Sequence, residues 1–225
     1  MSFRLVLFDC DGTLVDSQVM ITSAMSGAFT ALGVAPPSRE ETLAIVGLSL
    51  PIAMERLAKG RTDLSPDALA DAYRAQFFTL RQSPDHAEPL YDGAREAIVA
   101  LSARDDTLLG IVTGKSRRGV DAILAMHGLT EHFKVIRTAD DGPSKPHPFM
   151  VADAVAAVGA DVGNTVVIGD TSFDMEMGRA AGARTIGVTW GYHARGLLEA
   201  TGAEMIAERF HDIPSMIDEL MGQGA

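Results

Sequence analysis

At 225 residues, with 47% apolar and 22% charged side chains, the chain is long enough to bury a sizeable core in one or two domains. Its formal charge of −11 opposes the basic footprint of a nucleic-acid binder and adsorption to an anionic membrane, so the expected partners are small soluble molecules, with no nucleic acid and no membrane. The single cysteine, Cys10, cannot close an internal disulfide, and no apolar run reaches the roughly 18 residues of a spanning helix; the expected setting is the cytoplasm, with the oligomeric state left open.

The first predicted strand runs from Leu5 to Asp9. From Ser17 to His86 the pattern is helical, over Met20 to Leu32, Ile52 to Lys59 and Pro66 to Leu80, with turn residues at Gly33 to Pro37 and Ser83 to Pro89. Five further strands are read at Thr107 to Thr113, Val135 to Thr138, Thr165 to Asp170, Thr185 to Trp190 and Glu204 to Ala207. Most are continuously apolar, as in strands covered on both faces. Helix-length segments separate the later ones, at Ser116 to His127, Phe149 to Val158, Phe173 to Ala181 and Ala194 to Ala200. This alternation predicts an α/β fold with a parallel sheet, helices on both faces and a helical insert after the first strand. Gly222 to Ala225 reads as a frayed end.

In an open α/β sheet the reactive site lies beyond the carboxyl ends of the strands, so polar residues that follow strands carry the functional signal. Asp9-Cys10-Asp11-Gly12-Thr13 ends a buried strand in two carboxylates two residues apart, which a hard divalent cation with oxygen ligands would compensate; a turn or capping role is the alternative, and Cys10 reads as an apolar filler. Thr113-Gly114-Lys115-Ser116 joins a strand to a helix and offers a hydroxyl and free amides to an anion, or merely an N-cap at Ser116. Ser144-Lys145-Pro146-His147-Pro148 presents one lysine from a constrained turn, with His147 assigned to the helix start. Gly169-Asp170-Thr171-Ser172-Phe173-Asp174 again ends a strand in acids, of which Asp174 could instead serve the helix N-terminus.

Taken together, DCDGTLVDS at Asp9 to Ser17, VTGK at Val112 to Lys115, SKPHP at Ser144 to Pro148 and GDTSFDMEMGRAAG at Gly169 to Gly182 resemble the haloacid dehalogenase superfamily, in its capped phosphatase branch. The resemblance implies a Rossmann-like doubly wound core at residues 1–15 and 87–225, with a small helical cap domain at 16–86. It implies Asp9 as nucleophile, Asp11 as general acid and base, Thr113, Gly114 and Lys145 as phosphate contacts, and Mg²⁺ held by Asp9, the Asp11 carbonyl and Asp170, with Asp174 behind them. Asp11 and Asp170 speak against dehalogenation, Lys59 is the cap's only lysine for a phosphonatase Schiff base, and Ile21 stands where phosphomutases carry a histidine. The cap string Val46-Gly47-Leu48 is most similar to phosphoglycolate phosphatases and makes Gly47 a candidate substrate contact. A phosphoglycolate-like ester is therefore expected, with pyrophosphate or a sugar or nucleotide phosphate as alternatives. A phosphoacceptor receiver domain is the alternative of a different class.

Overall fold

The computed structural model describes residues 3–222. Six parallel strands form one sheet: β1 (Arg4–Phe8), β2 (Thr107–Val112), β3 (Phe133–Arg137), β4 (Thr165–Gly169), β5 (Arg184–Val188) and β6 (Met205–Ala207), in the order β3-β2-β1-β4-β5-β6. The chain winds outward from β1 through β2 to β3 and then restarts on the other side at β4. The direction of winding thus reverses between β1 and β4, which makes that point the crevice of a doubly wound fold.

Alternate residues of the central strands enter opposite cores, as a period of two requires. Val6 and Phe8 of β1 join Val166 and Ile168 in a cluster closed by helices α5 (Ala94–Ser102), α6 (Arg117–Met126) and α10 (Ile213–Gly222). Leu5, Leu7 and Val167 pack on the other face against α7 (Phe149–Val158) and α8 (Ser172–Ala181). Helix α9 (Arg195–Thr201) connects β5 to β6.

Between β1 and β2 lie α1 (Gln18–Ala31), α2 (Arg39–Leu43), α3 (Leu50–Ala58) and α4 (Pro66–Leu80). They carry a separate apolar cluster in which Met25 and Phe29 of α1 meet Met54 of α3 and Leu69 of α4. The two passages linking these helices to the sheet run side by side: the Asp16 amide donates to the Pro89 carbonyl at 2.8 Å and the Tyr91 amide to the Leu14 carbonyl at 3.0 Å.

All six predicted strands are present, with ends shifted by at most two residues. Helices α2, α5 and α10 lie outside the predicted segments. The expected frayed end falls outside the described residues except for Gly222, the last residue of α10. No helix among the described residues is long and apolar enough to cross a membrane.

Candidate active site

Asp9 follows β1 directly and Asp170 follows β4, so both sit at the winding reversal. The turn after Asp9 needs glycine: Gly12 has φ +84°, and a Cβ there would stand 2.3 Å from Asp170 Oδ2. Asp170 is fully buried and held on two sides, accepting from Thr13 Oγ1 and from the Tyr192 amide, each at 2.9 Å. Burial, with the neighbouring charges of Asp9 and Asp174, pushes its pKa well above the usual carboxylate range.

Asp174 serves the helix N-terminus and also reaches the buried cluster. Its Oδ2 accepts from the Thr171 amide and hydroxyl in a capping box, while its Oδ1 takes Lys145 Nζ at 2.5 Å. Lys145, 1% exposed, also stands 2.8 Å from Asp9 Oδ1. Burial alone would lower the pKa of this ammonium, but the carboxylates of Asp174 and Asp9 raise it, so the lysine is charged. His147 belongs to the start of α7, where Nδ1 accepts from the Phe149 amide at 3.2 Å.

Asp9 is 1% exposed, and neither of its carboxylate oxygens accepts a well-directed hydrogen bond. Burial raises its pKa to about 6 against the pull of Lys145. Carboxylate oxygens of Asp9, Asp170 and Asp174 lie within 4.8 Å of one another. Three clustered buried carboxylates, of which only Asp9 and Asp174 meet the Lys145 ammonium, leave negative charge over, and that excess fits a hard divalent cation bound through oxygen.

Asp11 points elsewhere. Its Oδ1 accepts from Ser17 Oγ at 2.5 Å and from Lys115 Nζ at 2.8 Å. Lys115 also reaches Glu88 Oε1 at 2.9 Å, and Arg81 Nη2 stands 3.8 Å from Glu88 Oε2. Asp11 is thereby tied through one lysine to the segment that returns from the helical insert. Sequence reasoning missed Ser17 and Glu88 and left Lys115, although inside a quoted motif, without a role.

Thr113, 1% exposed, follows β2 and accepts from the Lys115 amide at 3.2 Å, while Ser116 caps α6 through the Gly119 amide. Cys10 is fully buried against Val15 and Ile123, as a filler should be. Gly47 lies beside this loop, on the helical insert. A Cβ on Gly114 would meet the Gly47 carbonyl oxygen at 2.4 Å and that of Leu48 at 2.6 Å, so the insert's backbone rests directly on the loop after β2. A cavity of about 600 Å³ opens between insert and sheet, with Asp9, Asp11, Gly47, Thr113, Gly114 and Lys115 on its wall. Lys145, Asp170 and Asp174 are buried beside Asp9 and do not line it.

Residues 6–188 match the family model of haloacid dehalogenase-like hydrolases. The chain belongs to that family. A probable phosphatase, IndB, from Dickeya dadantii (strain 3937) is 35% identical over 93% of this chain and 91% of its own length. A pyrophosphatase, PpaX, from Bacillus cereus (strain AH820) is 29% identical over 98% and 99%. The crystal structure of a predicted phosphoglycolate phosphatase from Haemophilus somnus 129PT superposes with a TM-score of 0.83 over 96% of this chain and 98% of that one; at 24% identity this speaks for the fold alone. The expected class, a phosphatase enzyme of the haloacid dehalogenase-like family, stands, and the receiver-domain alternative is set aside.

Proposed function

We propose that the enzyme is a Mg²⁺-dependent phosphatase that hydrolyses a soluble phosphomonoester through a phosphoryl group carried on Asp9. The observation that supports this most directly is Asp9 itself, a buried carboxylate at the winding reversal that faces the cavity with the Lys145 ammonium 2.8 Å from one of its oxygens. One oxygen forms a bond to phosphorus as the ester P–O bond breaks, and Asp11 gives its proton to the departing alkoxide. A water then attacks the phosphorus, loses its proton to Asp11 and releases inorganic phosphate and the Asp9 carboxylate.

Thr113 and the amides near Gly114 receive equatorial phosphate oxygens, and Lys145 offsets the negative charge that accumulates beside Asp9. Mg²⁺ would be held by the carboxylates of Asp9 and Asp170 and the main-chain carbonyl of Asp11, with Asp174 orienting Lys145 from behind. When bound, the ion supplies positive charge to the phosphoryl oxygens. Helices α1 to α4 act as a cap over the site, with Gly47 meeting the substrate from above. A cytoplasmic setting, with neither nucleic acid nor membrane as partner, belongs to the same reading; the net charge of −11 and the single buried cysteine support it.

The test is direct. Acid quench during turnover is expected to trap a phosphoryl adduct on Asp9, detectable by mass spectrometry, and Asp9→Asn should yield no adduct and less than about 1% of turnover, as for loss of a nucleophile that acts within a coupled set. A variant retaining more than that, with Mg²⁺ present, would remove Asp9 from the covalent role.

A further inference from the structure

The phosphate end of the cavity accounts for only part of its volume. About 600 Å³ is in the range that holds ring-sized or larger ligands, and corresponds to roughly twenty waters at about 30 Å³ each. A two-carbon alcohol such as glycolate would leave most of that space filled by water against apolar walls, a poor use of the surface.

Those walls have a particular character. Helix α4 turns Tyr73, Phe77 and Phe78 toward the cavity. The Phe77 ring lies 5.3 Å from Lys115 Nζ, the ammonium that holds Asp11, so the aromatic wall flanks the side on which an alcohol would leave. Phe78 is 62% exposed, a large apolar ring that the cap's own core does not use. The cations on the wall are largely committed: Lys115 to Asp11 and Glu88, Arg74 to Asp71 at 2.7 Å, and Arg81 to the neighbourhood of Glu88, while Arg118 lies exposed at the rim. Of these pairs only that of Lys115 is buried, since Arg74 and Asp71 are 53% and 78% exposed. Arg81 Nη2, which makes no hydrogen bond, offers a donor to a polar or anionic substituent carried on the alcohol.

We propose that the substrate is a phosphomonoester whose alcohol carries a flat ring seated against Tyr73, Phe77 and Phe78, which departs from the phosphoglycolate-like ester expected from the sequence. This rests on the phosphatase reading above. Aromatic faces stack on flat rings whether carbocyclic or heterocyclic, and the chemistry they share is the planar π surface.

The experiment compares kcat/KM with Mg²⁺ for 2-phenylethyl phosphate and ethyl phosphate, whose leaving alcohols are of similar acidity, alongside phosphoglycolate, pyrophosphate and a nucleoside 5′-monophosphate. The phenylethyl ester is expected to exceed ethyl phosphate by about tenfold or more. A still higher value for the nucleotide assigns the ring to a heterocycle, and a lower one to a carbocycle. Phe78→Ala should cut the phenylethyl-to-ethyl ratio roughly fivefold, with Phe77→Leu as a second variant that keeps an apolar side chain under the fold. Equal kcat/KM for the two matched esters, or phosphoglycolate or pyrophosphate above every ring ester, overturns the proposal. Calorimetric binding of 3-phenylpropylphosphonate against propylphosphonate separates the two readings. Tight, ring-dependent binding without turnover of any ester would sink the phosphatase reading and keep the ring site, and equal binding would sink the ring site alone.

Discussion

Lys115 shows how one residue can tie catalysis to architecture. Its side chain is 8% exposed, and burial by itself would lower its pKa, yet Asp11 and Glu88 at 2.8 and 2.9 Å raise it and keep the ammonium charged. Contrast Arg117 and Asp121, paired at 2.8 Å but each 54% exposed, where water screens the attraction and little stability is at stake. Removing Lys115 strands Glu88, whose side chain is 1% exposed and whose remaining cation, Arg81, is 3.8 Å away. Lys115→Met is therefore expected to cost about 3 kcal/mol, the scale of an uncompensated buried charge, lowering Tm by roughly 6–12 °C in calorimetry. Adding Glu88→Gln should recover more than half of that loss, because the orphaned charge goes with it. A single variant that melts within a degree of the parent would show that the triad is not a buried ionic lock.

At the scale of elements, strands were readable because burial on both faces makes them continuous apolar runs; β1, β2 and β4 appear within one residue of their expected bounds. Of the unread helices, α5 and α10 do carry an apolar period, burying Ala94, Ala97, Ile98 and Leu101 in one and Ile213, Ile217 and Leu220 in the other. Helix α2 spans five residues, too few for an amphipathic repeat, and α5 follows Gly93, whose φ of 78° breaks the chain just ahead of the helix. Of the site, Asp9, Asp11, Thr113 and Asp170 were legible because topology delivers strand ends to one edge, and Lys145 and Asp174 because each sits in a short polar string ahead of or at the start of a helix. Glu88 was not, since its partner Lys115 lies 27 residues away and no local pattern marks the pair.

The contact between Gly47 and Gly114 was equally hidden, being an approach of backbone to backbone. It carries a prediction of its own. In Gly114→Ala the new Cβ would sit 2.4 Å from the Gly47 carbonyl oxygen, so the insert must lift from the loop that follows β2. Displacement of about 1 Å near reacting groups can cost on the order of a hundredfold in rate, and a loss of that size in kcat/KM is expected with Tm held within about 4 °C. Steady-state kinetics beside thermal melts would decide it. Unchanged kcat/KM would mean that the close seating of insert on loop does not position the chemistry.

Over the whole molecule, a chain of net charge −11 places three of its carboxylates, all buried, around the winding reversal, with Lys145 paired to two of them, Asp9 and Asp174. That arrangement is stable only if the negative charge is offset or partly protonated, and burial together with the neighbouring carboxylates pushes the pKa values of Asp9 and Asp170 upward accordingly. A bound divalent ion should offset that charge and so stabilise the fold by mass action. At a hundred times its Kd the gain is about 2.7 kcal/mol, which for a chain of this size raises Tm by roughly 5–10 °C. Differential scanning calorimetry in EDTA and then in Mg²⁺ is expected to show that shift, and Asp9→Asn and Asp170→Asn should each lose most of it, whereas Gly114→Ala should keep it. EDTA should also silence turnover and Mg²⁺ restore it. Ca²⁺ separates binding from chemistry. It too can satisfy hard oxygen donors and should raise Tm, but its larger and looser coordination shell disturbs in-line attack by Asp9, so turnover should stay near the EDTA level. Equal rates with both ions, or a thermal shift that survives Asp170→Asn in full, would place the cation away from this cluster.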